Sequence, residues 1–165
     1  MELRPEQPGD ADAIRSITQE AFAGAEHSSG TESAIIDNLR SAGTLSLSLV
    51  ALSNDRIVGH IAFSPVKIAG GGQGWFGLGP VSVRPDMQGK GIGSRLIRES
   101  LAQLRAAGAE GCVVLGDPAY YRRFGFAADP ALTFDGAPPE YFMALSFAGS
   151  SPSGSVTYEP AFYLD

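Results

Sequence analysis

The stretch Val81-Ser82-Val83-Arg84-Pro85-Asp86-Met87-Gln88-Gly89-Lys90-Gly91-Ile92-Gly93-Ser94-Arg95-Leu96 constrains this chain more than any other. An alternating apolar run stops at Arg84-Pro85. A Gly-rich turn follows, and a helical pattern begins. At such a turn, backbone N–H groups lack intrahelical partners and point the same way. The helix dipole adds partial positive charge there. A strand–turn–helix of this kind is an anion site for a phosphate or pyrophosphate. Glycines let the backbone approach the ligand with no Cβ in the way. The turn fails the Walker pattern, because no Gly-Lys-Ser/Thr stands at the required spacing. It also fits a dinucleotide Rossmann site poorly, since it lies halfway along a mixed chain rather than on a first parallel βαβ unit.

The elements around it are mixed. Leu3 begins a short strand. Asp10 is placed to cap a helix over about 11–22, with Ile14, Ile17, Ala21 and Phe22 on one face. Ala23–Gly30 reads as a loop, and Thr31 as the cap of a second helix ending at Gly43. Leu45–Leu52 and Arg56–Ala69 pair as an antiparallel hairpin about Asn54-Asp55, with Gly70–Gly74 as the next tip and Trp75–Val83 as the next arm. Ile92, Leu96, Ile97, Leu101 and Leu104 form the apolar face of the helix from Gly91 to Ala107. Gly111–Leu115 is a short buried strand, and Pro118 opens a short helix to about Phe124. Further strands are expected near 142–147 and 156–158, with a loop over 150–155. This order is α+β in one domain spanning 1–165, its part after about 129 the least distinct.

Composition removes several function classes. A net charge of −6 and a pI near 4.8 exclude a general basic face for nucleic acid. No apolar run reaches the roughly 18–20 residues of a membrane span. The opening Met1-Glu2-Leu3-Arg4-Pro5 carries no basic-then-apolar secretion signal, and the one cysteine, Cys112, cannot form an internal disulfide. A soluble, cytoplasmic setting is expected. Gly111-Cys112-Val113-Val114-Leu115 reads as a buried strand, where cysteine packs as a small hydrophobe rather than serving as a thiol nucleophile.

Gln88-x-x-Gly91-x-Gly93, after Val81-x-Val83-x-Pro85, resembles motif A of the GNAT-type N-acetyltransferases. Tyr121-Arg122-Arg123-Phe124-Gly125-Phe126 resembles the second half of that signature, in which a tyrosine precedes a Gly-Phe pair. Leu115-Gly116-Asp117-Pro118-Ala119-Tyr120-Tyr121 is similar to a bacterial subgroup described as predicted acetyltransferases. The resemblance covers roughly residues 1–128. It implies the acyl-CoA N-acyltransferase (GNAT) fold: a mixed, mostly antiparallel sheet with helices on both faces and a splayed parallel strand pair.

The same resemblance implies acetyl-CoA as co-substrate. Its pantetheine arm would bond the main chain along Val81, Ser82 and Val83. Its pyrophosphate would sit on the amides of Gln88, Gly89, Lys90, Gly91, Ile92, Gly93 and Ser94. Lys90, Arg95 and Arg98 would add local positive charge, and Arg122 and Arg123 would meet the outer phosphate. Tyr121 holds the family's position for a general acid beside the sulfur, whereas Tyr120 would face elsewhere. The main-chain N–H of Val81 or its neighbour would polarise the carbonyl.

The sequence departs from better-known members at the base. Trp75–Val81 has no acid where they carry a carboxylate on or near this strand. Glu26, His27, Glu32 and His60 are the candidates, Glu32 and His60 chief among them, directly or through a water chain. No metal is implied. Natural acceptor walls are Ala23–Thr31, Gly70–Gly74 and Pro138–Met143; Phe22, Trp75, Tyr141 and Phe142 read either as apolar lining there or, the commoner case, as ordinary core residues. The expected partners are acetyl-CoA and an amine acceptor, with a homodimer left open. The missing carboxylate also motivates an alternative, a non-catalytic acyl-CoA-binding sensor or interaction module.

Overall fold

A computed structural model describes residues 1–23, 30–149 and 151–163. The described elements are β1 (Glu2–Pro5), α1 (Ala11–Phe22), α2 (Glu32–Ala42), β2 (Leu47–Ser53), β3 (Arg56–Pro65), β4 (Lys67–Ile68) and β5 (Trp75–Val83). They continue with α3 (Ile92–Ala106), β6 (Gly111–Leu115), α4 (Pro118–Tyr121), β7 (Leu132–Thr133), β8 (Phe142–Ser146) and β9 (Gly154–Thr157). Short 3₁₀ turns cover Pro85–Met87, Arg122–Phe124, Pro139–Tyr141 and Pro160–Tyr163.

The main sheet runs in the order β1-β2-β3-β5-β6-β8, and only its β5–β6 pair is parallel. Strand alternation sorts its side chains to two faces. Leu49, Ala51, Ile61 and Phe63 meet Ile92, Leu96, Ile97 and Leu101 of α3. Val50 meets Ile14 of α1 and Ile36 of α2 on the other face. Helices therefore cover both faces, as the resemblance implies. The β2–β3 hairpin turns on Asn54 and Asp55, both at positive φ, the backbone that a tight two-residue hairpin requires.

The return strand expected over 56–69 leaves the main sheet at Pro65, which supplies no N–H to continue a ladder. Lys67–Ile68 then pairs with Thr157 and Val156. Gly70–Gly74 thus links two sheets rather than tipping one hairpin. The last strand is Gly154–Thr157, and it belongs to a second sheet of order β4-β9-β7. Its member β7, two residues long, has no periodicity from which to be read. Asp10 stands at the start of α1 without capping it. Its carboxylate instead accepts from Arg4 Nη1 at 2.6 Å and from the Gln7 backbone N–H at 2.7 Å. Both bonds draw the carboxylate away from the helix and tie α1 to β1.

Candidate active site

The β5–β6 ladder is short. It pairs Trp75 with Gly111, Phe76 with Cys112 and Gly77 with Val113, then ends. On its other edge β5 carries a bulge. Leu78 faces Phe63 and Val81 faces Ile61, so Gly79 and Pro80 together oppose the single residue Ala62. From Leu78 onward β5 runs beside β6 without pairing to it. A cavity of about 570 Å³ opens there, walled by Leu78–Val81, Leu115 and Tyr121.

The Gly-rich turn sits beyond the end of β5. Gly89 has φ +79° and Gly91 φ +83°, the left-handed region that favours glycine. The first bond of α3 runs from Arg95 N–H to Gly91 O at 3.1 Å, so the amides of Ile92, Gly93 and Ser94 precede the helical ladder. Gln88 Nε2 donates to Val83 O at 3.0 Å and ties the turn to the strand. Ile92 is buried in the core and offers only its main chain. Ser82 is buried too, its Oγ 3.2 Å from Thr18 Oγ1 on the α1 side, so it likewise presents only backbone to the splay.

Lys90 and Arg95 are exposed beside the turn. Arg98 lies over the Phe124 ring at 4.9 Å and Arg123 over the Tyr120 ring at 4.7 Å. Both guanidinium groups stand within cation–π range of these rings. Tyr120, expected to face elsewhere, reaches the start of α3. Its hydroxyl lies 3.5 Å from Ser94 Oγ and would be 3.3 Å from a Cβ on Gly93.

Tyr121 is placed by the sequence just before it. Asp117 caps α4 by accepting from Ala119 N–H at 2.9 Å, and Pro118 fixes the first turn. The Tyr121 ring meets Phe126 edge-on at 6.0 Å and lies where a Cβ on Gly116 would stand. Burial, with smaller contributions from Tyr120 and Cys112, pushes its hydroxyl up to about 12. The phenol therefore stays protonated at neutral pH and can donate a hydrogen bond.

Of the two chief base candidates, the structure brings one to the cavity. Glu32, in the first turn of α2, lines it together with Val81 and Tyr121. His60 is not among the lining residues. It is fully buried beneath α1, with Nε2 2.7 Å from Ser48 Oγ. Ser48 Oγ–H donates to Glu6 Oε1 at 2.7 Å, which makes Ser48 the acceptor of a proton on His60 Nε2. Burial lowers its pKa to about 4, against a smaller opposing effect of Glu6. His60 is a neutral core residue, and its charge is excluded by desolvation. Glu26 and His27 lie outside the described residues.

Buried neutral, His60 makes the stability of the fold depend on pH. Its folded pKa lies below the ordinary value of 6.5, so the unfolded chain binds the proton first as pH falls. The associated stability is complete above about pH 6.5 and is lost towards pH 4. Urea unfolding should show wild type losing about 3 kcal/mol more than His60→Gln between pH 7 and pH 4. Equal losses would remove His60 as the source.

One of the four apolar candidates lines the cavity. Phe22 is at the cavity, but Trp75 is buried against Gly111, and Tyr141 is not among the lining residues. Phe142 belongs to a neighbouring cavity of about 730 Å³. Neither Gly70–Gly74 nor Pro138–Met143 forms a wall of the site. Phe134, Tyr158, Phe162 and Tyr163 do, and sequence reasoning missed them. The only signal was the density of aromatic residues after Asp129, and nothing local ties them to β5. Cys112 is fully buried, and burial raises its thiol pKa, consistent with a packing role.

A parallel strand pair splayed at a bulge, with a glycine-rich helix start at one end of the gap and a half-buried tyrosine inside it, defines an acyl-CoA-dependent acyltransferase. The family model described as "Acetyltransferase (GNAT) domain" matches residues 2–128, and the chain belongs to that family. It is similar to a GNAT family acetyltransferase from Brucella melitensis solved in complex with acetyl-CoA. The identity is 52% and the TM-score 0.88, over 98% of this chain and 97% of that one. The Escherichia coli GNAT family N-acetyltransferase YhbS, solved with CoA, is 31% identical with a TM-score of 0.91, over 99% and 92%. Escherichia coli K12 YjhQ, an uncharacterized N-acetyltransferase, is 34% identical over 92% of this chain and 82% of that protein. No described helix is long and apolar enough to cross a membrane.

Proposed function

We propose that this protein transfers the acetyl group of acetyl-CoA to an amine by direct attack on the thioester. The observation that carries this reading is the single cavity at the β5–β6 splay, which brings Val81, Tyr121 and Glu32 together. The pantetheine arm follows the unpaired edge of β5, and the pyrophosphate rests on the amides of residues 88–94. Lys90 and Arg95 supply charge from the exposed side of the turn.

An alkylamine is protonated near pH 7, so it must first lose a proton to become nucleophilic. Glu32 takes that proton. The nitrogen lone pair then forms the C–N bond, and the main-chain N–H at Val81 stabilises the charge on the carbonyl oxygen. The C–S bond breaks, the electron pair leaves on sulfur, and the second proton of the attacking nitrogen is lost to solvent, leaving a neutral amide. A CoA thiol resembles cysteine, with a pKa near 8.5, so complete proton transfer from a phenol at about 12 is uphill. Tyr121 therefore acts by donating a hydrogen bond to the departing thiolate. The presence of Glu32 in the cavity favours an enzyme over a sensor.

Isothermal titration with acetyl-CoA tests the cofactor directly; no saturation below millimolar concentration rejects it. Tyr121→Phe tests the chemistry. It should lower kcat about 10- to 100-fold, the worth of one hydrogen bond to a charged group, with acetyl-CoA affinity kept. Unaltered turnover would remove Tyr121 from the mechanism. Because Tyr121 holds its proton to about 12, wild-type rates should show no alkaline loss attributable to it below pH 10.

A further inference from the structure

The cavity has two ends of different origin. Val81, Leu115 and Tyr121 form the thioester end, within the residues matched to the family domain. The far end is built by Phe134, Tyr158, Phe162 and Tyr163, all beyond residue 128, with Phe22 and Ile35 facing them from α1 and α2. We infer that this aromatic wall selects the acceptor, and that the acceptor is a primary amine carried on an apolar, ring-bearing body. The inference rests on the acetyl-transfer reading and names its substrate class.

The wall is preorganised. Phe142 and Phe134 stack at 5.4 Å, Phe134 meets Tyr158 edge-on at 5.2 Å, and Tyr158 packs on Phe162 at 5.1 Å. Tyr158 lies directly on β5. Its ring would stand 2.5 Å from a Cβ at Gly77, so glycine there admits it. The Tyr158 backbone N–H donates to the Tyr163 hydroxyl oxygen at 3.1 Å and holds that ring at the rim. Rings fixed in this way bury an apolar ligand with little further loss of side-chain freedom.

Charge and exposure agree. Among the described lining residues Glu32 is the only charged side chain, and the rest of the lining is uncharged and mostly apolar or aromatic. Large apolar side chains are rarely exposed on this protein, yet Leu115 at 38% and Tyr163 at 53% both stand at this cavity. Apolar surface gathered at a cleft marks a ligand-binding site. A polycationic acceptor would be drawn instead to the neighbouring cavity, which Asp129, Asp135 and Glu140 line.

The test compares 2-phenylethylamine, 2-aminoethanol and spermidine. Binding to the CoA-loaded protein is measured by calorimetry, and CoA release from acetyl-CoA is measured beside it. The expected result is binding of 2-phenylethylamine about 10- to 100-fold tighter than of either other amine. Phe162→Ala should collapse that ratio, and Phe162→Leu, which keeps apolar bulk, should retain most of it. Acetyl-CoA affinity reports that both variants are folded. Equal or tighter binding of 2-aminoethanol or spermidine overturns the inference. Selective binding of 2-phenylethylamine without CoA release upholds the wall and counts against acetyl transfer. Failure of the protein to bind acetyl-CoA or CoA overturns both.

Discussion

Replacement of Glu32 by Gln lowers kcat for amine acetylation by about 10²- to 10⁴-fold, the range expected when a positioned general base is lost. Acetyl-CoA affinity should stay within a factor of about two, because Glu32 lies at the cavity and not at the glycine-rich turn. The loss should shrink as pH approaches the pKa of the amine, since an amine already neutral in solution needs no base. Gln keeps the size and polarity of the side chain, so packing in the first turn of α2 changes little. Steady-state CoA release, measured with the amine that wild type uses fastest, reads the effect. A pH-independent deficit would assign Glu32 to positioning rather than to proton transfer, and wild-type kcat at neutral pH would exclude it altogether.

The second large effect concerns the cradle. Gly91 holds φ +83° at the start of α3, where a side chain costs about 1–2 kcal/mol. Gly91→Asp adds to that cost a carboxylate beside the bound pyrophosphate. The two together should weaken acetyl-CoA binding about 100-fold. Asn matches Asp in shape and in its tolerance of the left-handed backbone but carries no charge, so Gly91→Asn should lose less, and the difference between the two variants reads the charge. Titration calorimetry on both variants separates charge from strain. Equal affinities for the two would show that the turn does not face the phosphates.

Much of this fold was legible because its signals are local. The bounds of α1 and β5 match the periodicity and breakers at Gly9-Asp10 and Arg84-Pro85. The Asp117-Pro118 start that aims Tyr121 is likewise a short-range instruction. Asp10 shows the limit of that logic. Its sequence position fits a cap, but Arg4 and the Gln7 amide offer its carboxylate better partners across the β1–α1 turn. His60 and Glu32 show the same limit at the site. Both are plausible bases by residue type, and only their placement, beneath a helix or in a cavity, separates them.

The sequence by itself determined the glycine-rich turn at one end of the site. A glycine-rich turn between strand and helix specifies an anion cradle through backbone geometry, and backbone geometry is encoded within a few residues. The aromatic end of the cavity was decided only by tertiary structure. Gly77 reads as an ordinary strand glycine until Tyr158, 81 positions later, lies on it. Phe134, Tyr158, Phe162 and Tyr163 become one wall because a small second sheet, too short for any periodicity, folds them over the β5–β6 gap. Contacts of that range come from burying apolar surface collectively, and no single segment carries the information for it.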